Sequence, residues 1–531
     1  MLPFMKARKV FENGLLDASE EDREVVAVYR TGEIYYAAGK KFNPLVRKAQ
    51  DHLRSKFDVE PMLHQCSVED LAARYREAEE QDIGVLTESF ERHADKMLRD
   101  AAAAKTADIK IIRTPERTTI RFLIAGQELS YQGLSLSSLE GNALISYIFD
   151  SRDEGSGHST KEKGEFQGFS VSGNTAQGGK LSLPANVLKL RCQKGFHETS
   201  EDIMDHVAIR IFYRESDDMA SLEDLGLDPE VLDALQRARE GMKGATIIGG
   251  ETGDGKSTTL ISTIKQQYRE NEGNISVVTV EDPVEYKLNE PGVIQIPLQS
   301  AGGAEERTKN YRAALMHFVR INPHVGMISE MRDAEAARQV LQFIETGHQV
   351  WTTIHINSVN SIPFRLIDMG IEPTELSKPD SLKLMLKQAL VPLLCRCAIK
   401  GDDGYMHRNT EGCSICNGGG KGEAAAKAWA GFARLVAIAE FIEPDDGYLE
   451  RIRANDALGA KNYWEKPTAD GGMGGITLKQ KLHYLAHLGA IDPKNALKKG
   501  APIPKVRTEG LEIGASYRGW IQGLLDNRKT A

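Results

Sequence analysis

Residues 249–260 read GGETGDGKSTTL, in which Gly250, Gly255, Lys256 and Ser257 satisfy the spacing G-x-x-x-x-G-K-[ST]. An apolar run, ATIIG, precedes them and a helix-compatible stretch, STTLISTIKQQYRE, follows, which is the setting a phosphate-binding loop needs. Glycines let such a loop curl until its N–H groups converge on one anion, and Gly253 adds a third permissive position. Lys256 would neutralise the β- and γ-phosphates of ATP, and Ser257 would ligate Mg2+ through its hydroxyl. Thr258 joins them as a nucleotide-binding position, where the helix adds the positive end of its dipole. The competing reading is a chance match among 49 glycines, and the surrounding strand and helix patterns argue against it.

A phosphate loop also needs an acid for the metal and a group that activates water. VGMISEMRD, residues 325–333, is an apolar strand that ends in Glu330, at the carboxyl edge of a sheet where ligands bind. SVVTVEDPVEY, residues 276–286, is a second apolar strand ending in Glu281 and Asp282, with Pro283 stopping it. Either alone reads equally well as a solvated strand end. Behind a phosphate loop, the two point to one magnesium ion. Cys395, Cys397, Cys413 and Cys416 form C-x-C, a fifteen-residue gap, then C-x-x-C, which suits one structural, tetrahedral Zn2+ in a loop without a core of its own. The alternatives are free or partly buried thiols, or His407 in place of one cysteine. Cys66 and Cys192 stand apart and read as ordinary buried residues.

These groups need a scaffold. A chain of 531 residues exceeds one hydrophobic core, and 41% hydrophobic with 27% charged residues is a globular composition. The longest apolar stretches, such as ALVPLLCRCA from Ala389, are too short to span a bilayer. The N-terminal MLPFMKARKVFENG lacks an export signal, so the cytosol is the expected location. A net charge of −9 disfavours non-specific nucleic-acid binding, and no nucleic-acid partner is expected. The first hundred residues mix strand-like EVVAVYR and EIYYAAG with helical VEDLAARYREAEE and TESFERHADKMLRDAAAAK. ADIKIIRTPERTTIRFLIAG alternates as two half-buried strands around Thr114-Pro115-Glu116. KEKGEFQGFSVSGNTAQGGK reads as loops and hairpins, and VLKLRCQ and HVAIRIFYR as further strands. In the connector that follows, Ser221 and Asp224 have capping-box spacing. From Gly244 the strand–loop–helix rhythm predicts an α/β domain with a parallel sheet.

In order and spacing, GGETGDGKSTTL, VEDPVEY, ISEMRDAEAA and ETGHQVWTTIHINS resemble the Walker A, Asp box, Walker B and His box of the secretion ATPase superfamily that powers type II secretion and type IV pili. The similarity continues through SLEDLGLDPEVLDAL, RLIDMGIEP and GGMGGITLKQKL and so covers roughly residues 105–500. It implies an α/β fold: a RecA-like P-loop ATPase domain over 244–500, with the cysteine loop at 395–416. Before it come a PAS-like α+β domain over 101–220 and a linker over 221–243. An N-terminal domain occupies 1–100 and a tail 501–531. It also implies a homo-hexamer peripheral to the inner membrane, working on a membrane platform protein. Carried over by motif, Glu330 orients and deprotonates the attacking water, Glu281 and Asp282 hold magnesium, and His355 senses the γ-phosphate. Arg191 and Arg210 match the arginines that reach the nucleotide from the PAS-like domain; surface pairing with acids is the alternative.

The departures are Asp254 in place of Ser, Ser329 in place of Gly and Met316 in place of Arg, while Arg320 is kept. A carboxylate at Asp254 lowers nucleotide affinity unless it points to solvent. The four-cysteine loop is typical of assembly and secretion motors, so filament assembly is the favoured role. A type IV secretion, conjugation or retraction ATPase is the alternative. A nucleotide-gated scaffold and a DNA-translocating motor are rivals of other classes, which Glu330 and the overall acidity respectively disfavour.

Overall fold

The structure is a computed structural model. It describes residues 24–29, 32–57, 60–124, 126–153, 167–172, 181–199, 203–213, 221–282, 284, 286–298, 304–331, 334–416, 429–507 and 512–529. The N-terminal MLPFMKARKVFENG, most of the glycine-rich stretch 161–180, the start of the connector and Pro283 lie outside these. The chain divides into two compact units, one of residues 1–94 and 139–148, the other of 95–138 and 149–531.

In the first unit, strands β1 (Val26–Val28), β2 (Glu33–Ala37) and β3 (Met62–Cys66) form a sheet, with β1 antiparallel and β3 parallel to β2. Helix α1 (Pro44–His52) starts where the Asn43 side chain accepts the Leu45 N–H at 2.9 Å, and it buries Val46 and Ala49 against Val26, Val28 and Ile34. A long helix, α2 (Val68–Ala103), begins in this unit, and its last turns, from Asp95, belong to the second.

The second unit opens with an antiparallel sheet of order β6-β5-β4-β9-β8-β7. Its strands are β4 (Asp108–Arg113), β5 (Thr118–Ile124), β6 (Gln127–Ser130), β7 (Gln167–Ser172), β8 (Val187–Glu198) and β9 (Ile203–Tyr213). Period-two alternation is plain in β5, where Ile120, Phe122 and Ile124 point inward, and the Thr114 N–H closes the turn onto the Arg117 carbonyl at 2.8 Å. The Ser221–Asp224 capping pair forms, with the Asp224 carboxylate 2.9 Å from the Ser221 hydroxyl. It caps only the short turn Glu223–Leu225, because Gly226 leaves the helix at φ 87°. The helix proper, α3 (Pro229–Gly241), starts afresh, with Asp228 accepting the Val231 N–H at 3.2 Å.

A seven-stranded sheet of order β12-β11-β13-β14-β10-β15-β18 then carries the phosphate loop. Its strands are β10 (Gly244–Gly249), β11 (Val277–Glu281), β12 (Val293–Pro297), β13 (Val325–Ile328), β14 (Gln349–Ile354), β15 (Leu382–Leu394) and β18 (Phe432–Ile442), a short ribbon of β16 (Ile399–Lys400) and β17 (Met406–His407) standing apart. All neighbours run parallel except β15 and β18. Helix α4 (Lys256–Glu270) covers one face with Leu260 and Ile264 against Ile248, Val277 and Trp351. Helices α5 (Ala304–Ile321) and α6 (Ala334–Glu345) cover the other, where Phe318 and Phe343 meet Val278 and Val350. Burial on both faces explains why β10 is buried along its whole length and shows no polar alternation, Thr246 being its one hydroxyl.

The unit closes with α7 (Leu478–His487), α8 (Pro493–Lys498) and α9 (Ala515–Asp526), packed on Ala389, Val391 and Ile438 of β15 and β18. Lys481 of α7 is fully buried and donates to Asp228 and to the Ala439 carbonyl, each at 2.7 Å. A buried ammonium without its carboxylate is costly, so Asp228→Ala should destabilise the folded unit by about 3–5 kcal/mol. Its urea midpoint should fall well below that of Asp228→Asn, which keeps a hydrogen-bond acceptor; equal midpoints for Asp228→Ala and the unaltered chain would show the pair to be dispensable.

Candidate functional site

Parallel register places the chemistry. Gly249 of β10 stands opposite Ile354 of β14, and Ile328 of β13 opposite Val280 of β11 and Thr352 of β14. The phosphate loop, Asp282, Glu330 and His355 therefore leave the sheet at one edge, with β14 between the strands that lead to the loop and to Glu330. Backbone bonds sew this edge: Gly250 N–H to the Ile354 carbonyl, Ser329 N–H to Val280 and Met331 N–H to Thr353.

The loop is held tightly. Gly250 has φ 152°, and a Cβ there would lie 2.6 Å from the Gln388 carbonyl, so both backbone and space demand glycine. Gly253 and Gly255 are also left-handed, at φ 85° and 77°. Gly255 starts α4 with no side-chain cap and no acid in the first turn, the donor set an anion requires. Lys256 Nζ lies 2.9 and 2.8 Å from the Gly250 and Glu251 carbonyls, folded back over the loop, and Ser257 is half-buried beside it. Thr258 meets the Tyr286 hydroxyl at 3.1 Å.

Asp254 departs from the expectation. Its side chain does not point to solvent; it is buried, accepting the Glu251 N–H at 2.9 Å and the Leu390 N–H at 3.2 Å, and pairing with Lys499 at 2.6 Å.

His355 Nε2 lies 3.1 Å from Glu330 Oε1, joining the ends of β13 and β14 directly. The Thr353 hydroxyl donates to the Ser329 carbonyl at 2.5 Å, which holds the backbone just before Glu330. Glu281 is buried on the sheet face that α4 covers, where its Oε1 accepts from Thr279 at 2.6 Å and from Gln295 at 2.9 Å. Asp282 is half-buried at the strand end. Met316 and Arg320 lie on the exposed face of α5.

Sequence reasoning missed Tyr286, Gln295, Gln388 and Lys499. Only Tyr286 lay within a motif it had singled out. Gln388 bridges the Asp254 carbonyl at 2.7 Å and the Thr259 hydroxyl at 2.8 Å from a strand far along the chain, with no local signal to mark it.

Arg191 and Arg210 face each other across β8 and β9, and Arg210 also stands opposite Asp108 of β4. Arg210 holds Asp108 in a two-pronged pair at 2.8 and 3.2 Å. In this structure Arg210 is paired with an acid, the arrangement given above as its alternative, and Arg191 is its neighbour in the strand register.

The four cysteines do converge. Their sulfurs lie within 4.8 Å of one another, with Cys395–Cys413, Cys397–Cys416 and Cys413–Cys416 each at 3.7 Å. A tetrahedron of sulfurs around zinc, with bonds of about 2.3 Å, has edges of about 3.8 Å. The four fit that ion. Backbone N–H groups of Cys416 and Ile415 hold the Cys413 thiol down to about 7, whereas burial pushes Cys395 and Cys397 up. His407 is engaged elsewhere, its Nε2 2.9 Å from Asp403 and its Nδ1 3.7 Å from Asp492.

With this geometry in place, comparison with known proteins is decisive for the class. The sequence matches the type II/IV secretion system protein family over residues 177–450, more than half of the chain, and the chain belongs to that family. It is 37% identical over 197 residues to the type II secretion system protein HxcR of Pseudomonas aeruginosa, covering 37% of this chain and 39% of that one. It is 31% identical over 204 residues to the type IV pilus assembly ATPase PilB of Thermus thermophilus, covering 38% and 22% respectively. These matches span less than half the length of either relative. Among solved structures, the Legionella pneumophila ATPase DotB superposes with a TM-score of 0.51 at 19% identity, covering 78% of this chain and 95% of that one, a likeness of fold.

Purified protein should contain about one zinc per chain. Cys413→Ser should lower the melting temperature while leaving nucleotide binding at the loop largely intact. Metal-free protein that melts with the zinc-loaded form would contradict a structural ion.

Proposed function

We propose that the chain is an ATPase that works as a ring-shaped motor, powering assembly of a type IV pilus or a secretion pseudopilus from the cytosolic face of the inner membrane. The observation that carries the reading is the Glu330–His355 contact at the edge where the uncapped N-terminus of α4 meets the phosphate loop. A protein that only binds nucleotide has no need of an acid poised there. Support for the filament comes from the relatives, described as type II secretion and pilus assembly proteins. Among the described residues no helix is long and apolar enough to cross a membrane, which suits a motor that meets the membrane through a platform protein.

In this reading the loop N–H groups and Lys256 take the β- and γ-phosphates, Lys256 exchanging the Gly250 and Glu251 carbonyls for phosphate oxygens. Ser257, Glu281 and Asp282 are the residues that would hold a magnesium ion, Glu281 through water from its buried position. That ion would supply positive charge against the developing negative charge on the phosphates. Glu330 accepts the proton of the attacking water. His355, in contact with Glu330, reports the state of the γ-phosphate toward the neighbouring subunit. Arg210 would leave Asp108 and, with Arg191, reach the γ-phosphate when the antiparallel sheet closes over the loop, so that hydrolysis drives reopening.

Phosphate release and nucleotide binding separate these roles. Lys256→Ala should lose binding, whereas Glu330→Gln should bind ATP and fail to turn it over. Glu330→Gln turning over at the normal rate would exclude Glu330 as the base. Arg210→Ala should keep binding and lose turnover by on the order of 10³-fold; a normal rate would leave Arg210 as a surface partner of Asp108.

A further inference from the structure

The carboxylate of Asp254 is buried within the phosphate loop itself, beside the place reserved for polyanionic phosphates. Left alone there it would oppose the ligand. It is not alone. Lys499, the C-cap residue that follows α8, lies 2.6 Å from Asp254 Oδ1 and 3.4 Å from Glu251 Oε2. The other Asp254 oxygen takes the Glu251 N–H, so one side chain closes the turn from residue 251 to 254 while pairing with a lysine 245 positions away. Gln388 holds the Asp254 carbonyl, and the Leu390 N–H holds the carboxylate, both from β15.

Helices α7 to α9 and β15 share one core of Ala389, Val391, Leu482, Leu485, Ala496 and Ile521. The phosphate loop is therefore docked onto the C-terminal helices through a charged contact. Lys387, Glu440 and Glu251 also bear on this neighbourhood, and burial pushes the Lys387 ammonium below its ordinary value. Lys499 pairs directly with Asp254.

We infer that Lys499 is a positioning residue for nucleotide binding: it neutralises Asp254 and latches the phosphate loop to the C-terminal helices, so that a shift of those helices alters the loop's grip on phosphate. This inference rests on the nucleotide-binding reading above. Lysine does through Asp254 what no residue of the loop could do by itself, since the loop's own positive group, Lys256, is reserved for phosphate.

The test is a double-mutant cycle on the full chain, read by the affinity for a fluorescent ADP analogue with Mg2+ and by melting of nucleotide-free protein. Lys499→Met strands a buried carboxylate beside the phosphates and should weaken binding by about tenfold or more, with Lys499→Arg retaining most of it. Asp254→Ser, which removes the acid together with the latch, should weaken binding less than Lys499→Met does. Adding Lys499→Met to Asp254→Ser should cost no further affinity, because the acid that needed neutralising is gone. Normal binding by Lys499→Met overturns the latch, as does a full further loss when Lys499→Met is added to Asp254→Ser; melting of the nucleotide-free variants separates either result from a folding fault. An unaltered chain that binds no analogue at all overturns the nucleotide reading, and the latch with it.

Discussion

The parallel hydrogen bonding of β11, β13, β14 and β10 is the constraint from which the candidate site follows. Parallel strands point their carboxyl ends the same way, so four segments separated by dozens of residues deliver the phosphate loop, Asp282, Glu330 and His355 to one edge. Helices cover both faces of the sheet, so its central strands are buried throughout and carry no charged side chain before their carboxyl ends. The cost appears in composition: β10 and β13 are entirely buried, and chemistry begins only where each strand stops.

A second layer of contacts fixes the loops that this edge releases. Tyr286 and Gln295 tie the segment after β11 to α4 and to Glu281, and Gln388 ties the phosphate loop to β15. The buried Glu440 carboxylate takes the Val359 N–H beyond His355 and the Leu478 N–H at the start of α7. Together with Lys481–Asp228 and Lys499–Asp254, this connects the C-terminal helices to the connector, the His355 loop and the phosphate loop. Rigid support of this kind is what a site needs when small displacements of phosphate decide the rate.

What was legible in the sequence was local. The phosphate loop could be read because its glycines, lysine and serine are adjacent, and the acids because each ends an apolar run. The cysteine spacing was informative because two close pairs can share one tetrahedron. Other readings depended on distant partners. Asp254 looked like a defect in isolation, and only the fold shows Lys499 beside it. The Ser221–Asp224 pair formed as its spacing suggested, yet Gly226 limited it to a single turn, since a cap can begin a helix but cannot carry it through a left-handed residue. Arg210 matched a motif position, and its observed partner is Asp108, placed opposite by strand pairing that local sequence does not encode.

The most direct test is an experimental structure of the full chain with Mg2+ and a non-hydrolysable ATP analogue. The account predicts the triphosphate against the first turn of α4, Lys256 withdrawn from the Gly250 and Glu251 carbonyls onto phosphate, Glu330 facing the γ-phosphate and Lys499 still on Asp254. A triphosphate bound elsewhere, or one bound at the loop with Glu330 turned away from the γ-phosphate, would contradict it.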